Sequence, residues 1–130
     1  MLAIDQYKKL ATIFSDEFKS HTPIPGDMFI RPHSTLPDEA TIRQITAPRP
    51  QISAREIWAP NFRQLLLLAG DRGLRIGIEP SDDGYRAWIR TDESLKSLAT
   101  DPDVAIFQIL TQWSECRKPA QPLSTVPRNR

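Results

Sequence analysis

The sequence predicts a small α+β domain in which helices pack on a two-stranded antiparallel sheet. Residues 3–20 carry apolar side chains at the three- and four-residue spacing of a helix that buries one face, and residues 102–116 are apolar enough for a helix covered on more than one side. Residues 74–90 alternate apolar and polar side chains on both sides of a turn sequence, which is typical of a hairpin. The chain has 130 residues, the length of one domain.

The first predicted helix covers residues 3–20. Its apolar side chains fall on one stripe, which we expect to face the core: Tyr7, Leu10, Ala11, Phe14 and Phe18. Residues 21–52 follow as a proline-rich connector, because each proline restricts the residue before it to extended geometry. Two short elements are expected within the connector. They are an extended segment at residues 28–31, which could add a strand to the sheet, and a short helix that begins at Pro37 and is anchored by Ala40, Ile42 and Ile45.

The central helix is predicted over residues 60–72. Ser53 and Glu56 have the spacing of a capping box, but Pro60 prevents one undisturbed helix through this region and is better placed in a first turn. Gly73 supplies the expected left-handed stop. Six apolar residues make this helix broadly apolar: Phe62, Leu65, Leu66, Leu67, Leu68 and Ala69.

The hairpin over residues 74–90 has two possible registers. A two-residue turn on Asp83 and Gly84 places Trp88 on the face of Arg75, Gly77 and Glu79. A three-residue loop with Gly84 as a bulge places Trp88 on the opposite face, beside the isoleucines of the first strand. One residue of register therefore decides whether Trp88 belongs to the core or to the surface.

The rest of the chain is predicted as a short helix over residues 92–99, a last helix over 102–116 and a disordered basic tail over 117–130. The segments 1–20, 21–52, 53–116 and 117–130 are expected to form one domain overall. The exposed sheet edge and the broadly apolar helices also fit a homodimer.

Composition excludes several classes of protein. The formal net charge is +1, which argues against a globally basic nucleic-acid binder. One cysteine is typical of a reducing compartment, and no apolar run approaches the roughly 20 residues of a membrane span. The first residues lack the long apolar region of a signal peptide. We therefore expect a cytoplasmic protein that does not associate with a membrane.

No catalytic residue, metal site or cofactor is predicted. The metal-ligand candidates lack any recognised spacing: His21, Asp27, His33 and Cys116. Histidines in a proline-rich stretch are expected to be solvated. Neither Cys116 with His33 nor Ser34 belongs to a recognisable nucleophile motif, and the acidic pairs are explained as caps and turn formers. We expect the protein not to be an enzyme.

The binding residues predicted from the sequence lie on the hairpin: Arg75, Arg86, Trp88 and Arg90. Alternation places the last three on one face, and a two-residue turn adds Arg75 across the ladder. Arginine and tryptophan are enriched in binding hot spots. In the competing interpretation, Trp88 packs under a helix, the arginine stems cover it, and Glu79 pairs with Arg86.

The function predicted from the sequence is that of a small non-enzymatic protein-binding, adaptor or accessory protein. The order helix, glycine, strand, turn, tryptophan-bearing strand and helix over residues 60–113 resembles small sandwich domains of phage and mobile-element proteins. That resemblance rests on element order alone. The alternatives are a nucleic-acid binder that uses the hairpin arginines and the basic tail, and an enzyme with an unrecognised site. The folded segment 53–116 has a net charge of −3, counted as seven basic against ten acidic residues, which weakens the nucleic-acid alternative.

Overall fold

The computed structural model confirms the α+β class and describes residues 1–32, 35 and 40–117, without the side chains of Glu93 and Arg117. Within these residues it contains four helices and two three-stranded antiparallel sheets, so the prediction of a single two-stranded sheet was too small. The chain divides into two compact units, residues 1–68 and 69–130. The predicted division into four segments stays a prediction, because compactness alone does not define a folding domain.

The first unit begins with two helices where the sequence predicts one over residues 3–20. Helix α1 (Ile4–Ile13) ends at Phe14, whose backbone leaves the helical region at φ −111° and ψ 45°, and α2 (Ser15–Ser20) follows. Phe14 is fully buried at this break, and its amide still bonds the Leu10 carbonyl. Of the predicted apolar stripe, Tyr7, Leu10 and Phe14 are buried, whereas Ala11 and Phe18 are half-buried.

The predicted connector contains two strands of the first sheet. Strands β1 (Met28–Pro32) and β2 (Ala40–Gln44) pair antiparallel, and β3 (Ile57–Trp58) pairs with the other edge of β1. The extended segment predicted at residues 28–31 is therefore correct, but it belongs to a sheet of its own. The short helix predicted through Ala40 and Ile42 is wrong, because β2 occupies those positions; Pro37–Glu39 lies outside the described residues.

The central helix, α3 (Phe62–Asp71), starts two residues later than predicted, because Asn61 and Gln64 form its capping box. The Asn61 side chain accepts the Gln64 amide at 2.8 Å, and the Gln64 side chain accepts the Asn61 amide at 2.9 Å. The predicted box at Ser53 and Glu56 does form a bond from the Ser53 amide to the Glu56 carboxylate, but that turn leads into β3 and starts no helix.

The second unit is a three-stranded meander with one helix packed on it. Strands β4 (Ile76–Ser81) and β5 (Gly84–Ile89) form the predicted hairpin, closed by the two-residue loop Asp82–Asp83. The predicted helix over residues 92–99 is wrong, because Asp92–Ala99 forms a third strand, β6, next to β5. Helix α4 (Pro102–Arg117) agrees with the prediction and packs on β5 and β6. Pro80 lies in the edge strand β4.

The reason β6 is a strand appears in its burial. Leu95 and Ser97 are buried, whereas Lys96 and Leu98 between and after them are exposed, which is the period of two of a half-buried strand. Ser97 is satisfied beneath α4, because its hydroxyl donates to the Ala105 carbonyl at 2.7 Å. Within the described ranges, no helix has both the length and the apolarity that crossing a bilayer requires. Residues 118–130, most of the predicted disordered tail, lie outside the described part of the chain.

Candidate functional site

The predicted binding residues share one face of the second sheet. Trp88 pairs with Gly77 and Arg86 pairs with Glu79, so the odd-numbered positions of β4 and the even-numbered positions of β5 lie together. Arg75 and Arg90 continue this pairing just beyond the strands, through a bond from the Arg90 amide to the Arg75 carbonyl at 2.8 Å. The face is the one expected from a two-residue turn, although the turn residues are Asp82 and Asp83.

This face lies opposite α4. Ala87 pairs with Ser97, and Ser97 bonds α4, so neighbouring positions such as Trp88 and Lys96 point away from that helix. The interpretation that Trp88 packs under a helix is therefore wrong for the helix of this unit. The pairing of Glu79 with Arg86 in that interpretation is confirmed: Arg86 donates a hydrogen bond to Glu79 at 3.3 Å, and both side chains are about half exposed. An exposed pair of this kind contributes little stability.

The indole of Trp88 lies against the backbone of Gly77. A Cβ atom built at Gly77 would collide with the Cε2, Cζ2 and Nε1 atoms of that indole. A glycine opposite an aromatic residue in a ladder gives the ring a place to lie across the strand. Trp88 remains partly exposed and forms the wall of a hollow of about 290 Å³, together with Glu79, Arg86 and Lys96. One part of the indole thus covers the backbone of Gly77, and another part is accessible to solvent.

Three cations on this face have no acidic partner among the described residues. Arg75 and Arg90 face each other across the ladder, and Lys96 lies opposite Trp88 on the next strand. All three side chains are exposed. Like charges directly opposite each other in a sheet are destabilising.

Lys96 and the exposed Leu98, which pairs with Arg86, were missing from the sequence prediction because their segment was assigned to a helix.

A second cluster, in the first unit, was dismissed by the sequence analysis. The side chain of His21, predicted to be solvated, is only 19% exposed, and its Nε2 lies 2.7 Å from Oδ2 of Asp27. Asp27 is itself buried, and it also accepts hydrogen bonds from the Ile24 amide at 3.0 Å and from the Gln64 side chain at 2.9 Å. The helix cap and the histidine are thereby tied to one carboxylate.

Asp27 keeps its charge through these donors. Burial by itself raises the pKa of a carboxyl group, but the hydrogen bonds from Ile24, Gln64 and His21 and the attraction of His21 outweigh it and lower the pKa of Asp27 below 3.8. The cluster cannot be predicted from sequence spacing, because Gln64 lies 37 positions from Asp27 in the chain.

The imidazole of His21 also stacks on Trp58. The ring centroids are 3.7 Å apart and the ring planes differ by 10°. Phe18 contacts the same indole at 5.1 Å in a tilted arrangement. These rings line a cavity of about 550 Å³ whose walls are mainly apolar, with a few polar groups: Ser15, Lys19, His21 and Glu56. The structure thus brings His21 and Asp27 together in a way that the sequence analysis did not foresee.

Two other kinds of site were considered from the sequence, a metal site and a catalytic nucleophile. Among the described residues, no group of three or more His, Cys, Asp and Glu side chains could hold a metal ion. Cys116 is exposed near the end of α4, whereas His33 and Ser34 lie outside the described residues.

The comparisons with known proteins identify no relative, since the chain matches no protein-family model, no curated protein and no solved structure.

Proposed function

We propose that this protein is a non-enzymatic binding protein that recognises a protein partner through the exposed face of the second sheet. This face consists of the predicted residues Arg75, Arg86, Trp88 and Arg90, together with Lys96 and Leu98. The proposal rests on the combination of Trp88 and Leu98 with three cations that have no acidic partner in the described part of the chain, Arg75, Arg90 and Lys96. A partner segment with acidic groups around an apolar centre would complement it.

The stability of the sheet does not account for these cations. Arg75 and Arg90 repel each other across the ladder, and neither has an acidic partner in the described part of the chain. An external anionic group would relieve this repulsion and gain two charge-assisted hydrogen bonds. Trp88, already held against Gly77, would offer its accessible surface with little loss of side-chain freedom.

The alternative of nucleic-acid binding has support from the same cations. An accessible indole flanked by arginines is a surface on which a base can stack. The glutamate of the hollow, Glu79, offers a carboxylate that repels a phosphate chain, and for that reason a protein partner is the first proposal. Action in the cytoplasm and formation of a homodimer belong to the same proposal. The enzyme alternative draws only on the His21–Asp27 pair.

The experiment is a capture of partners from host lysate with the tagged full chain, with and without nuclease. The face variant Arg75→Ser/Arg90→Ser is compared with Arg49→Ser/Arg55→Ser, which removes the same charge from exposed positions of the first unit. We expect one stoichiometric protein that survives nuclease, is retained by the control variant and is lost by the face variant.

Two other outcomes would decide against the proposal. Capture that disappears with nuclease, and direct binding of a single-stranded oligonucleotide that weakens steeply with salt, would establish the nucleic-acid alternative. Equal capture by the face variant and the control would show that partners bind elsewhere.

A further inference from the structure

We infer that the first unit holds a small-molecule site that takes an apolar aromatic ring carrying a hydroxyl group, with Nδ1 of His21 as the acceptor of the hydroxyl proton. The site is the cavity of about 550 Å³ between α1, α2, β1 and β3. It lies in a different unit from the sheet face, and its ligand binding does not depend on the partner proposed for that face.

The cavity has the size and lining of a ligand site. Small-molecule pockets measure roughly 300–1,000 Å³ and combine apolar walls with a few polar groups that fix orientation. Here the apolar wall includes six large side chains: Phe18, Pro23, Phe29, Ile52, Ile57 and Trp58. Three of these are aromatic, so a flat ring can stack or meet them edge to face.

The orientation of His21 determines which kind of polar group the ligand needs. The Asp27 carboxylate has no proton to donate, so Nε2 of His21 donates to it across 2.7 Å. In the neutral imidazole, Nδ1 then carries the lone pair, and no hydrogen bond to Nδ1 is present within the described residues. The stack on Trp58 and the bond to buried Asp27 fix both the plane and the rotation of the ring.

The remaining polar groups of the wall complete a hydroxyl site. One oxygen of Glu56 is already engaged, because Oε1 accepts from Arg43 at 2.9 Å and from the Ser53 amide at 3.0 Å. Ser15 and Lys19 can donate to the hydroxyl oxygen. A hydroxyl group that donates to His21 and accepts from one of these side chains would have both of its capacities satisfied.

The test compares two probes, 2-naphthol and 2-methoxynaphthalene, on the full-length protein. Both carry the same ring system, but only the first can donate a hydrogen bond. Affinities are measured by titration at a pH where the ¹⁵N spectrum shows the neutral imidazole. We expect 2-naphthol to bind about three- to tenfold more tightly, the effect of one hydrogen bond. The Nδ1 resonance of His21 should move with 2-naphthol only. The variant His33→Gln identifies which imidazole signals belong to His21.

The matched variant is His21→Lys. The ammonium group of lysine can keep a donor to Asp27, but it has no acceptor in place of Nδ1. We expect the variant to bind both probes with equal affinity. Failure of the wild-type protein to bind either probe, equal affinities of the wild type for both probes, or an unchanged preference in His21→Lys would each overturn the inference. If the variant does not fold, the Nδ1 resonance of the wild-type protein decides alone: movement with 2-naphthol only supports the site, and movement with both probes or neither refutes it.

Discussion

Asp27 connects three parts of the first unit through one side chain. It accepts from the loop at Ile24, from the end of the second helix at His21 and from the first turn of α3 at Gln64. Both carboxylate oxygens face donors, so the group is satisfied although it is buried. A buried acid with donors on both oxygens is a structural anchor, and it also sets the tautomer of the histidine beside the cavity.

We expect Asp27→Asn to lower the free energy of unfolding by about 1–3 kcal/mol, the cost of an unsatisfied buried polar group. Whichever way the amide is turned, its NH₂ group meets a donor, because Oδ1 accepts from Gln64 and Oδ2 accepts from Ile24 and His21. Urea unfolding measures the change. Asp82→Asn, at the exposed tip of the hairpin, is the control and should be nearly neutral. A neutral Asp27→Asn would contradict the anchor role.

The same comparison has a defined pH dependence. Because the pKa of Asp27 is lowered in the folded state, its contribution to stability is complete above the ordinary value of 3.8 and is lost as pH falls through the folded value. Measured from about pH 5 downward, the stability difference between the wild-type protein and Asp27→Asn should therefore shrink as pH falls below 3.8. A difference that stays constant at lower pH would show that the charge of Asp27 is not involved.

Of the residues in the two candidate sites, only those of the hairpin were predicted from the sequence. The arginines and the tryptophan of the hairpin follow from alternation along two neighbouring strands, which is a local property. The His21–Asp27 pair does not, because its environment depends on Trp58 and Gln64, which arrive from other elements. A proline-rich stretch with scattered polar residues looks solvated until its tertiary contacts are known.

Among the elements, the Gly77–Trp88 pair gives the sharpest prediction. We expect Gly77→Ala to cost about 1–3 kcal/mol, because its Cβ would overlap the indole. The cost should largely vanish in a Trp88→Ala background. Gly70→Ala is the control: no atom lies within 4 Å of its Cβ and Gly70 is helical, so this variant should stabilise by up to about 1 kcal/mol. Thermal unfolding checks both, and a cost that persists without Trp88 would rule out the overlap.

Local sequence patterns account for the element predictions that succeeded. The last helix and the hairpin are set by local periodicity and turn residues, and both were confirmed. Strand β6 was mistaken for a helix because Thr91 or Asp92 can cap one, whereas its strand character depends on pairing with β5. Strand β3 is defined by pairing with β1 across a long separation, Phe29 with Trp58, and β2 pairs with β1 from Pro32 opposite Ala40 to Met28 opposite Gln44. A ladder between distant segments leaves little trace in either segment alone.

For the whole molecule, the sequence predicted the α+β class but not the second sheet or the two compact units. The net charge of a segment likewise did not predict which charged side chains share a surface. Residues 53–116 carry a net charge of −3, counted from seven basic and ten acidic residues, yet one face of the second sheet holds three cations that have no acidic partner among the described residues. Alternate side chains of a strand point to opposite faces of the sheet, so charges that are separated in the sequence can lie together on one face. A binding partner contacts that face and not the average charge of the segment.

Pro80 has a consequence for the behaviour of the protein at high concentration. It stands in the edge strand β4, where a missing amide hydrogen interrupts any ladder that a second chain could add. We expect Pro80→Val to restore a continuous edge and to raise concentration-dependent self-association in sedimentation experiments, whereas Pro25→Val in an exposed loop should not. Equal sedimentation of both variants would show that the proline does not protect this edge. We therefore expect any homodimer of the native protein to form through side-chain contacts rather than through continuous strand pairing along β4. The pyrrolidine ring of Pro80 is then what prevents copies of this chain from polymerising along that edge.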